Sequence, residues 1–170
     1  MKEPFRLVQW EPKKGSCSGR LFTCARPGRS NEKRPERIPD ETVDAWVKGL
    51  PPSSEVVIVS LLGQKKHGAS EFRYYSFRGG KEAPADRPNC PTFQEWLNER
   101  HGCGYFTVVD YPTVDRLPVP PAVLSDVASR TLSLLSAGRT VVLMDSGGIS
   151  RTGSVARHIG YVESKNKNYF

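Results

Sequence analysis

Three short aliphatic runs, separated by stretches of helical periodicity, constrain this chain most. Glu55–Leu62 (EVVIVSLL), Tyr105–Val109 (YFTVV) and Thr140–Met144 (TVVLM) are nearly continuous and rich in β-branched residues. Such runs suit strands buried on both faces rather than strands with one wet face. Between them the spacing predicts helices. Thr92-Phe-Gln-Glu95 fits a capping box, with Phe93, Trp96 and Leu97 as the apolar side. In Pro120–Ala137, Val123, Leu124, Val127, Ala128, Thr131, Leu134 and Leu135 form one stripe, and Gly138 sits where a C-terminal cap belongs. Ahead of the first run, Asp40 is a plausible N-cap. Val43, Trp46, Val47 and Leu50 follow at helical spacing until Pro51-Pro52 stops the helix. A final helix is expected from about Arg151 to Glu163. The fold class is therefore α/β: a mostly parallel central sheet flanked by helices.

Two segments are read differently. Glu71–Arg78 (EFRYYSFR) is aromatic and partly alternating, so an additional strand is expected there. Its Tyr74, Tyr75 and Phe77 could wall a pocket, although aromatic strand residues are more often core. Arg26–Pro39 and Gly79–Pro91 are polar and Pro-rich and read as surface loops.

With 170 residues the chain has the length of one domain, 1–170. No apolar stretch approaches the roughly 18 residues that span a bilayer, and MKEPFRLVQWEPKKG lacks the apolar core of a secretory leader. Cys17, Cys24, Cys90 and Cys103 are too sparse for a disulfide scaffold and form no CxxC pair, while His67, His101 and His158 stand apart. No metal or cofactor is expected, and a cytoplasmic setting follows. The formal charge is +7, with Lys13, Lys14, Arg20, Arg26, Arg29, Lys33, Arg34 and Arg37 set against only Glu32 and Glu36. That bias suits a phosphorylated or polyanionic partner and equally a solvated loop.

In parallel sheets ligands bind at the carboxyl ends of strands, which directs attention to Asp145-Ser-Gly-Gly-Ile-Ser-Arg151-Thr152. The amides of Ser146, Gly147, Gly148, Ile149, Ser150 and Arg151 can converge into an anion nest, reinforced by the following helix N-terminus. Gly147 and Gly148 let the backbone turn and approach a ligand. Arg151 could offer a planar pair of donors to phosphate oxygens. A plain Gly-rich turn with an exposed arginine remains open on these residues alone.

VVLMDSGGISRTGSVA resembles the phosphate loop of the protein tyrosine and dual-specificity phosphatases: a buried strand, His-Cys, five residues, Arg, then Ser or Thr and a helix. Gly148, Arg151, Thr152 and Gly153 match residue by residue. Tyr111-Pro-Thr-Val-Asp115-Arg-Leu-Pro118 is similar to the family's general-acid loop, thirty residues before position 145. Gly19-Arg-Leu-Phe and Arg26-Pro are weakly similar to its first strand. The resemblance implies a phosphorylated substrate, with phosphoprotein favoured and an RNA 5′-phosphate or phosphoinositide as alternatives. It also implies that Asp115 is the general acid, Arg151 the oxyanion clamp and Thr152 a supporting residue.

Asp145, however, stands at the position of the nucleophilic cysteine and Met144 at that of the preceding histidine. No cysteine elsewhere is followed six residues later by arginine. A carboxylate there is an anion inside an anion site, so it should compete with phosphate for the loop donors. The expectation is a protein inactive or strongly impaired, either a natural pseudophosphatase or a disabled copy of an enzyme.

Two other readings stand beside it. One is a phospho-ligand binding module with no catalytic role. The other is an Mg-dependent phosphatase using Asp145 as an aspartyl nucleophile, since VVLMDSGG is also similar to the first haloacid-dehalogenase motif. Gly147 replaces the second acid of that motif, and only 25 residues follow Asp145. A nucleotide P-loop fits less well, because Gly148–Ser154 lacks its lysine.

Overall fold

A computed structural model of the protein describes residues 7–15, 17–29, 37–80 and 88–165. The uninterrupted runs become the centre of the sheet. β3 (Val56–Ser60) and β5 (Thr140–Asp145) are buried at every residue. They lie in register beside each other, flanked by β4 (Phe106–Asp110) and β2 (Arg20–Ala25), and all of these pairings are parallel. β1 (Leu7–Pro12) adds antiparallel to β2, and β6 (Tyr161–Glu163) adds antiparallel to β1. The six-stranded order is β4-β3-β5-β2-β1-β6.

Alternate residues of each strand point to opposite faces, which builds two cores. Val56, Ile58, Val142, Met144 and Cys24 face α1 (Asp40–Lys48) and α2 (Phe93–His101), represented by Val43, Trp46, Phe93 and Trp96. Val57, Val59, Val141 and Leu143 face α3 (Pro121–Ser136) and α4 (Ser150–His158), through Val127, Leu135, Val155 and Ala156. Both sheet faces are thus covered, which accounts for the absence of polar alternation in β3 and β5.

The expected α/β class with a mostly parallel sheet and flanking helices holds. The Thr92–Glu95 capping box forms in both directions. Gly138 adopts φ 82° just beyond α3, where its amide donates to Leu135 O at 3.0 Å.

Three local expectations need correction. Asp40 is the first helical residue, not the cap; Pro39 precedes it, and the Asp40 carboxylate instead accepts from Ser76 Oγ. Glu71–Arg78 is not a strand but a succession of turns, with the Tyr75 amide donating to Phe72 O at 3.0 Å. Its aromatic residues are explained by packing. Phe77 stacks on Tyr75 at 4.8 Å and meets Phe93 edge-on at 4.4 Å, so Tyr75 and Phe77 are core and not pocket wall. Finally, the last helix ends at His158. Gly160, at φ 81°, breaks it, and Tyr161–Glu163 return to the sheet as β6.

Of the two expected surface loops, residues 30–36 and 81–87 lie outside the described residues, including Glu32, Lys33, Arg34 and Glu36. All four cysteines are free thiols. Burial, and then the nearby Asp145 carboxylate, push the Cys24 thiol well above its ordinary pKa. No helix among the described residues is long and apolar enough to cross a membrane.

Candidate functional site

The carboxyl end of β5 delivers Asp145 into the loop, and α4 begins five residues later at Ser150. Gly148 makes that turn possible. Its φ is 69°, and a Cβ on it would lie 2.4 Å from the Ala25 amide nitrogen and 2.5 Å from the Cys24 carbonyl carbon. Only glycine fits so close an approach to β2.

The Asp145 side chain is 2% exposed. Its Oδ1 accepts from the Gly148 amide, and its Oδ2 accepts from the Thr152 amide at 2.9 Å. The carboxylate therefore occupies one amide of residues 146–151 and one in the first turn of α4. The amides of Gly147, Ile149, Ser150 and Arg151 donate to no group among the described residues. Ser146 is buried, and its Oγ accepts from Arg26 Nε at 3.4 Å. The Thr152 hydroxyl is buried without a hydrogen-bond partner among the described residues.

Arg151 is 3% exposed and does not point into bulk water. Its Nη1 donates to Glu71 Oε1 at 2.8 Å, Thr113 Oγ1 at 3.1 Å and Leu61 O at 3.2 Å. Nη2 donates to Glu71 Oε2 at 3.0 Å and Asp115 Oδ1 at 3.1 Å. Nε carries none of these bonds. Burial opposes the positive charge, but the Glu71 ion pair, with Asp145 and Asp115 nearby, leaves the guanidinium pKa raised. Arg151 is thus locked in its charged form.

Glu71 is the residue the sequence did not disclose. It was legible only as the opening of an aromatic run, yet it is 4% exposed and also accepts from the Gly63 amide at 3.0 Å. The one available signal was a lone acidic residue at the head of an aromatic and basic segment. Thr113 was passed over too, although its hydroxyl bridges Arg151 and Leu61 O.

Asp145, Arg151 and Asp115 share the lining of one cleft of about 790 Å3. Its rim carries Arg29, Lys65, Lys66, His67 and Arg116. Arg29 sits over the loop, its Nε 3.9 Å from where a Gly147 Cβ would be. Burial, then the like charge of Arg26, lowers the Arg29 pKa; Arg116 adds to that effect, while Asp115 and Asp145 oppose it. Arg116 has φ 64°, the one positive φ among the described non-glycine residues. Holding such a backbone costs about 1–3 kcal/mol, and strain of this kind concentrates at functional sites. No group of three or more His, Cys, Asp or Glu among the described residues is placed to hold a metal ion.

The chain superposes on a crystal structure of kinase associated phosphatase in which the catalytic-site cysteine is replaced by serine. The TM-score is 0.56 at 17% identity, covering 94% of this chain and 74% of that one. The fold is phosphatase-like. No protein-family model matches the chain, and no curated protein matches it in sequence. The phosphatase-like fold therefore rests on shape, and Asp145, Arg151 and Asp115 line one cleft within it.

Proposed function

We propose that this chain is a single-domain, phosphatase-like protein that holds a phosphate monoester at residues 146–151 and, with Asp145 at the nucleophile position, turns it over poorly or not at all. The observation that supports this reading is the convergence on one cleft of a buried Arg151, an Asp115 at 3.1 Å from it, and loop amides partly engaged by Asp145. Asp115 lines the same cleft, and a carboxyl group there is suited to protonating a leaving oxygen. The Arg151 Nε–H and the amides of Gly147, Ile149, Ser150 and Arg151 are the donors suited to the equatorial oxygens of a phosphoryl group.

Asp145 explains the impairment. Its carboxylate already accepts two N–H bonds, so both oxygens are engaged by the backbone rather than free to attack phosphorus. An approaching phosphate also meets a second negative charge at the loop floor. A thiolate at this position would attack phosphorus while Asp115 protonates the departing oxygen.

The test is Asp145→Cys, assayed with an aryl phosphate. Hydrolysis by the variant, lost again on Asp115→Asn or Arg151→Lys, supports the reading. A folded Asp145→Cys protein without hydrolysis overturns it in favour of a dedicated binding module. Mg-dependent hydrolysis by the unmodified chain overturns it in favour of an aspartyl-phosphate route.

A further inference from the structure

The floor and the rim of the cleft differ in charge balance. At the floor, Arg151 is matched by Glu71 and Asp115, and Asp145 is held by amides. At the rim, Lys65, Lys66 and Arg116 form no ion pair with any described residue. Their placement is nonetheless built into the backbone. The Lys65 amide donates to Ala69 O at 2.8 Å and its carbonyl accepts from Gly68, closing a tight turn. That turn is joined to the Asp115 segment, because the Asp115 amide donates to Gln64 O at 2.8 Å and the Gln64 amide to Thr113 O at 3.1 Å. The two loops thus present their cations together, and Arg29 faces them from beside Gly147.

We infer that the cleft takes a small molecule bearing at least two phosphate groups, one over residues 146–151 beside Arg29 and another against Lys65, Lys66 and Arg116. This rests on the reading of the loop as a phosphoryl site. A single monoester over residues 146–151 leaves Lys65, Lys66 and Arg116 without a counter-charge among the described residues. Charge-assisted bonds to a second phosphate supply one. The volume of about 790 Å3 lies in the small-molecule range of roughly 300–1,000 Å3. A phosphoprotein segment would instead spread its charges along an extended backbone at about 3.3 Å per residue, whereas these cations crowd a single cleft.

The experiment is calorimetric titration of the unmodified chain with inorganic phosphate, inorganic tripolyphosphate, inositol hexakisphosphate and a doubly phosphorylated acidic peptide. Two charge-matched variants accompany it. Lys66→Ala/Arg116→Asn strips the rim, with asparagine chosen because it tolerates the left-handed backbone. Lys48→Ala/Arg130→Ala removes the same charge from exposed positions outside the cleft.

The expected result is tripolyphosphate and hexakisphosphate binding at least about tenfold tighter than phosphate, with that advantage lost in the rim variant and kept in the control. Equal affinity for phosphate and polyphosphates overturns the inference, as does equal loss in both variants, which marks general charge attraction. Tightest binding of the peptide overturns it in favour of a phosphoprotein. Hydrolysis by Asp145→Cys without any polyphosphate preference overturns this inference while leaving the phosphatase reading standing. Rim-dependent polyphosphate binding together with an inert Asp145→Cys supports the ligand class and removes the phosphatase reading.

Discussion

Arg151 grips Glu71 end-on through Nη1 and Nη2 at 2.8 and 3.0 Å, and Arg100 grips Asp44 side-on through Nε and Nη2 at 3.1 and 2.5 Å. The surroundings differ. The first pair is 3% and 2% exposed by side chain and sits beneath the loop; the second is 35% and 22% exposed and clips α2 to α1. Water screens the outer pair, so its charges contribute little to stability. The inner pair gains no such screening, and its attraction must offset the loss of hydration of both ions. A buried pair is therefore a poor device for stability but a strong one for fixing where a guanidinium points. Here it holds the guanidinium at the wall of the cleft, against Thr113, Leu61 O and Asp115.

Removing one partner from each pair should separate these roles most sharply. Glu71→Ala leaves Arg151 charged and buried, and chemical denaturation should register a loss of about 3–5 kcal/mol. Asp44→Ala should cost only a small fraction of that; equal losses would erase the distinction. Replacing both inner partners, as Arg151→Met with Glu71→Leu, should recover most of the stability lost by Glu71→Ala, because neither ion then remains uncompensated. Phosphate-type ligands should nevertheless no longer bind in calorimetry. Failure to recover stability would mean that the pair is structural after all.

Salt offers a gentler probe. Raising ionic strength from about 0.1 to 1 M shortens the screening length from about 10 to 3 Å. The stability difference between the unmodified chain and Asp44→Ala should shrink, while that for Glu71→Ala should hardly move. The smallest expected effect is acid dependence. The Arg100 hydrogen bond, opposed by partial burial and aided by His101, holds the Asp44 carboxyl below its ordinary 3.8. A depressed carboxyl contributes stability above the unfolded pKa and loses it as pH falls through the folded one. Stability curves of the unmodified chain and Asp44→Asn should thus converge below pH 3.8. Curves that stay parallel there would remove the assigned role.

What the sequence disclosed follows the same division between local and distant causes. β3, β5 and the Gly147-Gly148 turn were legible because burial on both faces and a tight turn each leave a local pattern. Asp145, Arg151 and Asp115 were legible because the resemblance fixes their order along the chain. Glu71 was not, because its purpose comes from Arg151, eighty residues away. The segment from Phe72 to Phe77 misled because aromatic residues favour strands and cores for the same reason, the fit of large apolar surfaces. β6 was hidden by its length of three residues and by the helical look of the preceding turn. β1 drew notice only for lacking a leader's apolar core, since its pairing partner lies outside its own segment.

Gly148 seats the loop directly on β2, and the Arg26 amide donates to Asp145 O at 2.8 Å a little further along the same strand exit. The stretch leading to Arg29 and the loop itself are consequently one fixed bank of the cleft. The opposite bank carries Lys65 and Asp115 on stitched turns beyond the ends of β3 and β4. Both banks are thus pinned by backbone hydrogen bonds to the ends of parallel strands, so the sheet itself fixes the span between the two sets of charges.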